Sequence, residues 1–271
     1  MKLKRLLKRR LRPLRDPYFL FARFLFDPLH MMRSSFNRLR SFPYFFRNLR
    51  RYSAQKPDRS LRFRFGSAWY TSFDRFAPAA EPAFHYFYQD LWAAELIQRR
   101  GPARHVDVGS RIDGFVAHVL TFCDVEYVDL RPLNVEWPRF FFRQGSATNL
   151  PYDEGSIDSL SSLHVIEHIG LGRYGDEVDA RGHERAAKDL TRVLAPGGTL
   201  LIGTPIGREK LAFDAHRIFD PATVRNMFAT LELVSFSLVR DDGSFARDAS
   251  FEEARACEYG CGLFEFRKAL S

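Results

Sequence analysis

Arg104-His105-Val106-Asp107-Val108-Gly109 reads as a short buried strand that ends in an acidic residue and a glycine. Ser110 to Gly114 form a turn, and Phe115 to Thr121 begin a helix. Working outward, a second strand, Val125 to Val128, ends at Asp129. Gly145-Ser146-Ala147-Thr148-Asn149-Leu150-Pro151-Tyr152 leads into a third buried strand, Ile157 to Leu163. A helix closing on Arg192-Val193-Leu194 turns at Ala195-Pro196-Gly197-Gly198 into the strand Thr199 to Gly203. Upstream, Pro82 to Arg100 reads as a helix with Gly101 past its end, and downstream Pro221 to Ala229 reads as another. Glu232 to Val239 and Gly262 to Phe266 read as strands.

Strands alternating with helices imply a parallel sheet covered on both faces. Such sheets bind ligands beyond the carboxyl ends of their strands, where the strand order reverses. Gly109 lets the backbone approach a ligand closely, and the helix start that follows offers free N–H groups. An acidic residue closing the second strand, Asp129, is placed to accept a pair of ribose hydroxyls.

The later segments narrow the field. From Gly145 through Asp158, then His164-Val165-Ile166-Glu167-His168, then Leu190 to Gly198, the chain resembles the class I S-adenosylmethionine-dependent methyltransferases. The resemblance runs from residue 104 to about 240. A narrower likeness starts at His85-Tyr86-Phe87-Tyr88-Gln89-Asp90-Leu91-Trp92 and continues through Asp107 to Phe115 and Gly170 to Asp176. That pattern resembles a methyltransferase-like branch associated with surface-glycan biosynthesis. The resemblance implies a Rossmann-like, doubly wound α/β fold with seven strands in a mostly parallel sheet, the last antiparallel. It implies S-adenosylmethionine as cofactor. Asp107, Gly109, Ser110, Arg111 and Gly114 would form the loop under its methionine part. Asp129 would bind the ribose, Ser146 and Ala147 the adenine edge, and His164 would lie near the methyl group. Two departures stand out: the position two after Gly109, commonly glycine, is Arg111, and Ser146 stands where Asp is commoner. Arg111 must point away from the ligand or clasp its carboxylate.

The net charge of +8 hides a divided chain. Residues 1–65 hold 19 Lys and Arg against 3 Asp and Glu, and the remainder holds 22 against 30. We therefore divide the chain into a basic, aromatic-rich helical extension, residues 1–65, and a methyltransferase-like domain, residues 66–271. In the latter a leading segment and helix span 66–101 and the sheet core 102–271. Leu3, Leu6, Leu7, Leu11 and Leu14 share one helical face among Lys and Arg, as in a helix lying in an anionic membrane interface. Phe19, Phe21, Phe24, Phe26, Phe36, Phe42, Phe45 and Phe46 follow, interleaved with Arg. Pro13, Pro17, Pro28 and Pro43 should cut this region into short segments. A solvated tail, nucleic-acid binding and an organellar transit peptide are the rival readings. No stretch approaches the roughly 18 apolar residues of a membrane span.

Three cysteines, Cys123, Cys257 and Cys261, point to a reducing compartment without a disulfide framework. Two ligands at the spacing of Cys257 and Cys261 make a poor zinc site, and no resident metal is expected. His164-x-x-Glu167-His168 matches a zinc-peptidase signature, but that motif needs a helix, and a buried strand leads directly into it here. Histidine suits general-base work near neutrality. His164 is the first candidate base and His216 the second, each with an equally good reading as a satisfied structural histidine. Arg173, Tyr174 and Asp176, in a glycine-rich loop, suit a polar acceptor such as a sugar.

Together these features point to a cytoplasmic, peripherally membrane-associated O-methyltransferase acting on a glycan or lipid-linked sugar. A catalytically inactive interaction module and an RNA methyltransferase remain the alternatives. The membrane reading makes a direct prediction: the full chain pellets with anionic liposomes and a chain starting at Ser67 does not. Equal pelleting of both would dispose of it.

Overall fold

The computed structural model describes residues 28–55, 84–213 and 215–270. The leucine face of residues 3–14 and the aromatic run of residues 19–26 lie outside them, as do Asp214 and the expected boundary at residues 65 and 66. The chain divides into two units, Met1–Glu81 and Pro82–Ser271.

In the first unit, Pro28–Ala54 is one 27-residue helix, α1, with Pro43 inside it. The expected break at Pro43 does not occur. Proline's fixed φ is a helical value, so it removes one backbone bond and crowds one turn without forbidding the helix. Leu39, Phe42 and Phe46 are exposed along α1, and Phe42 stacks on Phe46 with ring centroids 6.3 Å apart. Arg47 lies over the ring of Tyr44 at 4.7 Å.

The second unit opens with α2, Phe84–Arg100, capped by Gly101 at φ +60, whose N–H returns to the carbonyl of Ile97. Then come β1, Arg104–Val108; β2, Asp124–Asp129; β3, Phe140–Gln144; β4, Ile157–Leu163; and β5, Leu194–Ile206. A two-stranded ribbon of β6, Lys210–Ala212, and β7, His216–Ile218, follows. The chain ends with β8, Glu232–Val239; β9, Phe245–Ala246; and β10, Gly260–Arg267. Helices over Gly182–Val193, Pro221–Met227 and Phe251–Ala256 connect them.

The main sheet has eight strands in the order β3-β2-β1-β4-β5-β10-β8-β9, where seven were expected. The first five are parallel, and β10 inserts antiparallel between β5 and β8. The eighth strand is β9, a two-residue edge added when the chain reverses at Asp241–Gly243 and pairs back on Leu238 and Val239. Sequence periodicity is too weak over two residues to signal it. The expected turn at Ala195–Gly198 survives inside β5 as a bulge. Register jumps from Ile157 opposite Leu194 to Ser159 opposite Thr199, with Gly197 at φ +75. The helix expected from Phe115 starts earlier, as a π-helical turn over Ile112–Val116 running into Ala117–Val119.

Both faces of the sheet are buried. Val106, Leu160, Leu190, Val224, Phe228 and Phe264 pack on one side, and Trp92, Ile97, Phe115, Val125, Leu201 and Leu263 on the other. Strand order reverses between β1 and β4, so their carboxyl ends, at Gly109 and His164, frame the crevice.

Polar side chains in this core are paired in series. His105 is fully buried, its Nδ1 2.8 Å from Oγ of Ser159 and its Nε2 2.8 Å from Oγ of Ser161. Ser161 in turn donates to Oδ2 of Asp107, which leaves its oxygen to accept from Nε2–H and fixes the neutral tautomer. Ser110 donates to Asp107 from both its backbone N–H, at 3.0 Å, and its hydroxyl, at 2.6 Å. These bonds explain why a buried strand reads Ile-Asp-Ser-Leu-Ser-Ser-Leu: its serines serve β1.

Burial holds His105 near 3, against an ordinary 6.5, and lifts Asp107 to about 6 from 3.8. A depressed histidine binds fewer protons folded than unfolded, so its contribution is whole above pH 6.5 and drains as pH falls toward 3. The raised Asp107 acts oppositely, contributing most below 3.8 and losing that contribution as pH rises through 6. Comparison with His105→Gln isolates the histidine. Between pH 7 and 5 the natural chain should lose about 2 kcal/mol more unfolding free energy than the variant. Parallel stability profiles in denaturant titrations at the two pH values would contradict a buried neutral His105.

Candidate active site

A cavity of about 560 Å³ opens at the β1/β4 switch point, within the roughly 300–1,000 Å³ usual for ligand sites. Its floor is the loop after β1. Gly109 has φ +75, its N–H bonds the carbonyl of Val128, and a Cβ on it would meet both methyls of Val165 at 3.2 Å. The left-handed φ and the close Val165 contact both call for glycine at this position. Ser110 and Arg111 line the cavity beside it.

Asp107 and Gly114, expected as cofactor contacts, do not line it. Asp107 is wholly buried beneath the loop, holding it through Ser110. Gly114 faces α2, where a Cβ would collide with the carboxylate of Asp90 at 2.2 Å. Ser110 is itself 2 % exposed; its hydroxyl accepts from the N–H of Leu163 and its carbonyl accepts from Tyr127. The loop is thus fastened to β2 and β4 by groups that the sequence could only place on its rim.

Asp129, at the end of β2, lines the cavity with its carboxylate engaged. Arg131 donates to it from its backbone N–H at 2.8 Å and from Nε and Nη2 at 3.0 and 2.9 Å, and Tyr127 donates at 3.0 Å. Burial raises Asp129, but these donors outweigh it and hold the carboxyl below its ordinary value. Arg131 also lies 4.6 Å from the centroid of the Tyr174 ring, and both line the cavity. Ser146 and Ala147 line the wall at the end of β3. The Arg111 guanidinium pairs with Asp113 at 3.0 and 2.7 Å and lies over Tyr86 at 4.7 Å, and both partners also line the cavity.

A second cleft, of about 780 Å³, adjoins the first and shares Tyr86, His164, His168 and Tyr174 with it. His85, Glu167, Arg173, His216, Asp241 and Tyr259 give it a polar lining. His164 adopts φ +55, a left-handed value, and is 5 % exposed with Nδ1 3.1 Å from Oε1 of Glu167. Burial opposes its charge, but Cys261 and Glu167 overcome that and lift it well above the usual histidine range. Glu167 is correspondingly held low: burial raises it, and His164 and His168 lower it further. His164 thus faces Glu167 across 3.1 Å rather than standing free in the cleft.

Burial lowers the neighbouring histidines. His85 falls to about 4, and His168 and His216 fall below their ordinary value. His168 donates from Nδ1 to the carbonyl of Ala215, leaving Nε2 as its lone-pair nitrogen. Arg173 donates to the same carbonyl and stands 5.1 Å from the Tyr174 ring. Asp176 is committed to the loop, accepting from the N–H groups of Gly170, Gly172 and Tyr174. Of the expected acceptor contacts, Arg173 and Tyr174 face the second cleft, while Asp176 lines the first. Tyr86, His85 and Tyr259 were not singled out as site residues from sequence, because each reaches the site by tertiary contact, while Arg131 was passed over although its bonds to Asp129, two residues earlier, are local.

Comparison with known proteins agrees with this geometry. Residues 146–250 match the family described as "Caenorhabditis protein of unknown function, DUF268". Ajmaline N-methyltransferase of Rauvolfia serpentina is 26 % identical over 121 residues, 40 % of this chain and 38 % of that protein. A Mycolicibacterium smegmatis protein described as a probable S-adenosylmethionine-dependent methyltransferase is 26 % identical over 159 residues, 58 % of this chain and 53 % of that one. The chain thus spans about half or less of these relatives. Among solved structures, the [4+2]-cyclase SpnF superposes with a TM-score of 0.50 at 15 % identity, over 67 % of this chain and 82 % of that one. The fold is that of the class I S-adenosylmethionine-dependent methyltransferases.

The glycine loop can be tested apart from any ligand. Gly109→Ala should destabilise the chain by about 1–3 kcal/mol, combining left-handed strain with the contact on Val165. Adding Val165→Ala should relieve the contact and leave the strain, so only part of the loss returns in denaturant unfolding. A neutral Gly109→Ala would mean that the loop does not hold this conformation.

Proposed function

We propose that this chain is an S-adenosylmethionine-dependent methyltransferase that methylates a hydroxyl of a glycan or lipid-linked sugar at a membrane surface. The observation that supports it best is the pairing of two cavities across one wall. The first has a close-approach glycine and a carboxylate at the expected strand ends, and the second is a polar cleft beginning where the first stops. Its sequence relatives bear methyltransferase names.

The residues fit the cofactor. Gly109 lets the loop pass close against Val165 at the cavity floor, Ser110 and Arg111 would border the methionine end, Asp129 would accept the ribose hydroxyls, and Ser146 and Ala147 would border the adenine. When bound, S-adenosylmethionine supplies an electrophilic methyl group on its sulfonium. Everything else falls to the chain. Arg131 must yield part of its hold on Asp129 for the ribose to be accepted, which couples filling of the cavity to the Arg131 contact with Tyr174. In the second cleft, Arg173, Tyr174 and Tyr259 offer donors and ring faces to a polar acceptor. His216 is neutral and half-exposed on that cleft, and it takes the base role for an acceptor hydroxyl. His164 lies against Tyr86, ring centroids 4.9 Å apart, on the wall that the two cavities share.

The membrane setting rests on the basic extension and on the exposed Leu39, Phe42 and Phe46 of α1. No helix among the described residues is long and apolar enough to cross a membrane. The alternative of an inactive interaction module draws on Arg111 and on the occupied Asp129 carboxylate.

Calorimetric titration of S-adenosylmethionine and S-adenosylhomocysteine into the full chain separates these readings. Micromolar binding of both, lost in Asp129→Ala, is expected. Absence of binding by either ligand would overturn the enzyme reading and leave the interaction module.

A further inference from the structure

Three side chains far apart in sequence meet at the wall between the two cavities. His85 stands on α2, His164 follows β4, and Cys261 lies on β10. One ligand atom from each, an imidazole nitrogen or the thiol sulfur, lies within 4.8 Å of the other two. The short interval between Cys257 and Cys261 draws attention to that pair in sequence, yet the partners of Cys261 come from other elements.

The histidines are arranged as ligands commonly are. Metal-bound histidine usually donates its second ring N–H to a carbonyl or carboxylate, which fixes ring and tautomer. Nε2 of His85 faces the carbonyl of Tyr259 at 3.1 Å, an oxygen that only accepts, so the ring keeps its lone pair on Nδ1. Nδ1 of His164 lies 3.1 Å from Oε1 of Glu167. That approach is off-axis, so Nδ1 of a side chain only 5 % exposed has no aligned hydrogen bond. His164 also holds φ +55, a conformation that non-glycine residues adopt at a cost and that gathers at ligand clamps.

The donor set selects the ion. Two imidazoles and a thiolate suit zinc, whereas magnesium and calcium take oxygen. With zinc–nitrogen near ~2.1 Å and zinc–sulfur near ~2.3 Å, tetrahedral ligand atoms stand roughly 3.5 Å apart, so the cluster needs about 1 Å of closure. We propose that His85, His164 and Cys261 bind one zinc ion, with the Tyr259 carbonyl orienting His85 and Glu167, 3.1 Å from Nδ1 of His164, taking up that N–H as the cluster closes. Three protein ligands leave a fourth position for water or a group from the polar cleft. The ion ties α2, the exit of β4 and β10 together at the boundary of the two cavities, whatever the acceptor is.

The test uses the untagged full chain, stripped with a chelator and titrated with zinc alone and with cobalt alone. One equivalent of zinc should bind per chain, and the cobalt form should show thiolate-to-metal charge-transfer absorption. Cys261→Ser should abolish that absorption, His85→Ala should abolish stoichiometric binding, and Glu167→Gln should weaken it about 10- to 100-fold. If Cys261→Ser fails to fold, the cobalt spectrum of the natural chain and the binding of His85→Ala decide. Failure to bind, a cobalt spectrum without a thiolate band, or undiminished binding in His85→Ala would each overturn the proposal.

Discussion

The buried carboxylate of Asp107 is the constraint on which the rest of the site depends. A carboxylate with no access to water must be met by donors, and here they come from Ser110 on the loop and Ser161 on β4. Ser161 is itself held by His105, which Ser159 completes on the far side. One line of hydrogen bonds thus fixes the end of β1, the loop after it and the adjacent strand. Because Ser110 also receives the N–H of Leu163, the same line sets where β4 delivers His164. The cavity is empty space left between two strand ends that cannot move independently.

Above this base the electrostatics divide by burial. His164 and Glu167 are both deeply enclosed and support each other's charge, and Cys261 adds to the pull on the histidine. His85, His168 and His216 surround that pair, and burial lowers all three. On the other side of the cavity the pairings are exposed and adjustable. Arg111 with Asp113 and Arg131 with Asp129 sit near solvent, where ion pairs contribute little and exchange readily. The deep side of the site is rigid and the outer side can give way.

Much of the fold was legible because its signals are local. The strand ending in Asp107-Val108-Gly109, the strand ending at Asp129 and the buried Ile157–Leu163 follow from short apolar runs closed by turn residues, and each lies where expected. β3 went unread although Phe140-Phe141-Phe142 is apolar, and the two-residue β9 offered no pattern at all. Pro43 misled, since its breaking tendency is a cost and not a prohibition. For the site, Gly109, Arg111, Ser146, Ala147 and His164 do line the first cavity, whereas Asp107 and Gly114 act from behind it.

The sequence by itself determined the alternation of strands and helices and the glycine turn that follows the first strand. Those properties depend on neighbours within a few residues, through period, turn chemistry and the missing Cβ. Only the tertiary structure decided that Arg111 lies over Tyr86 and that Cys261 meets His85 and His164. These depend on burial and on partners 25 or more positions away along the chain, and desolvation and distance have no local signature.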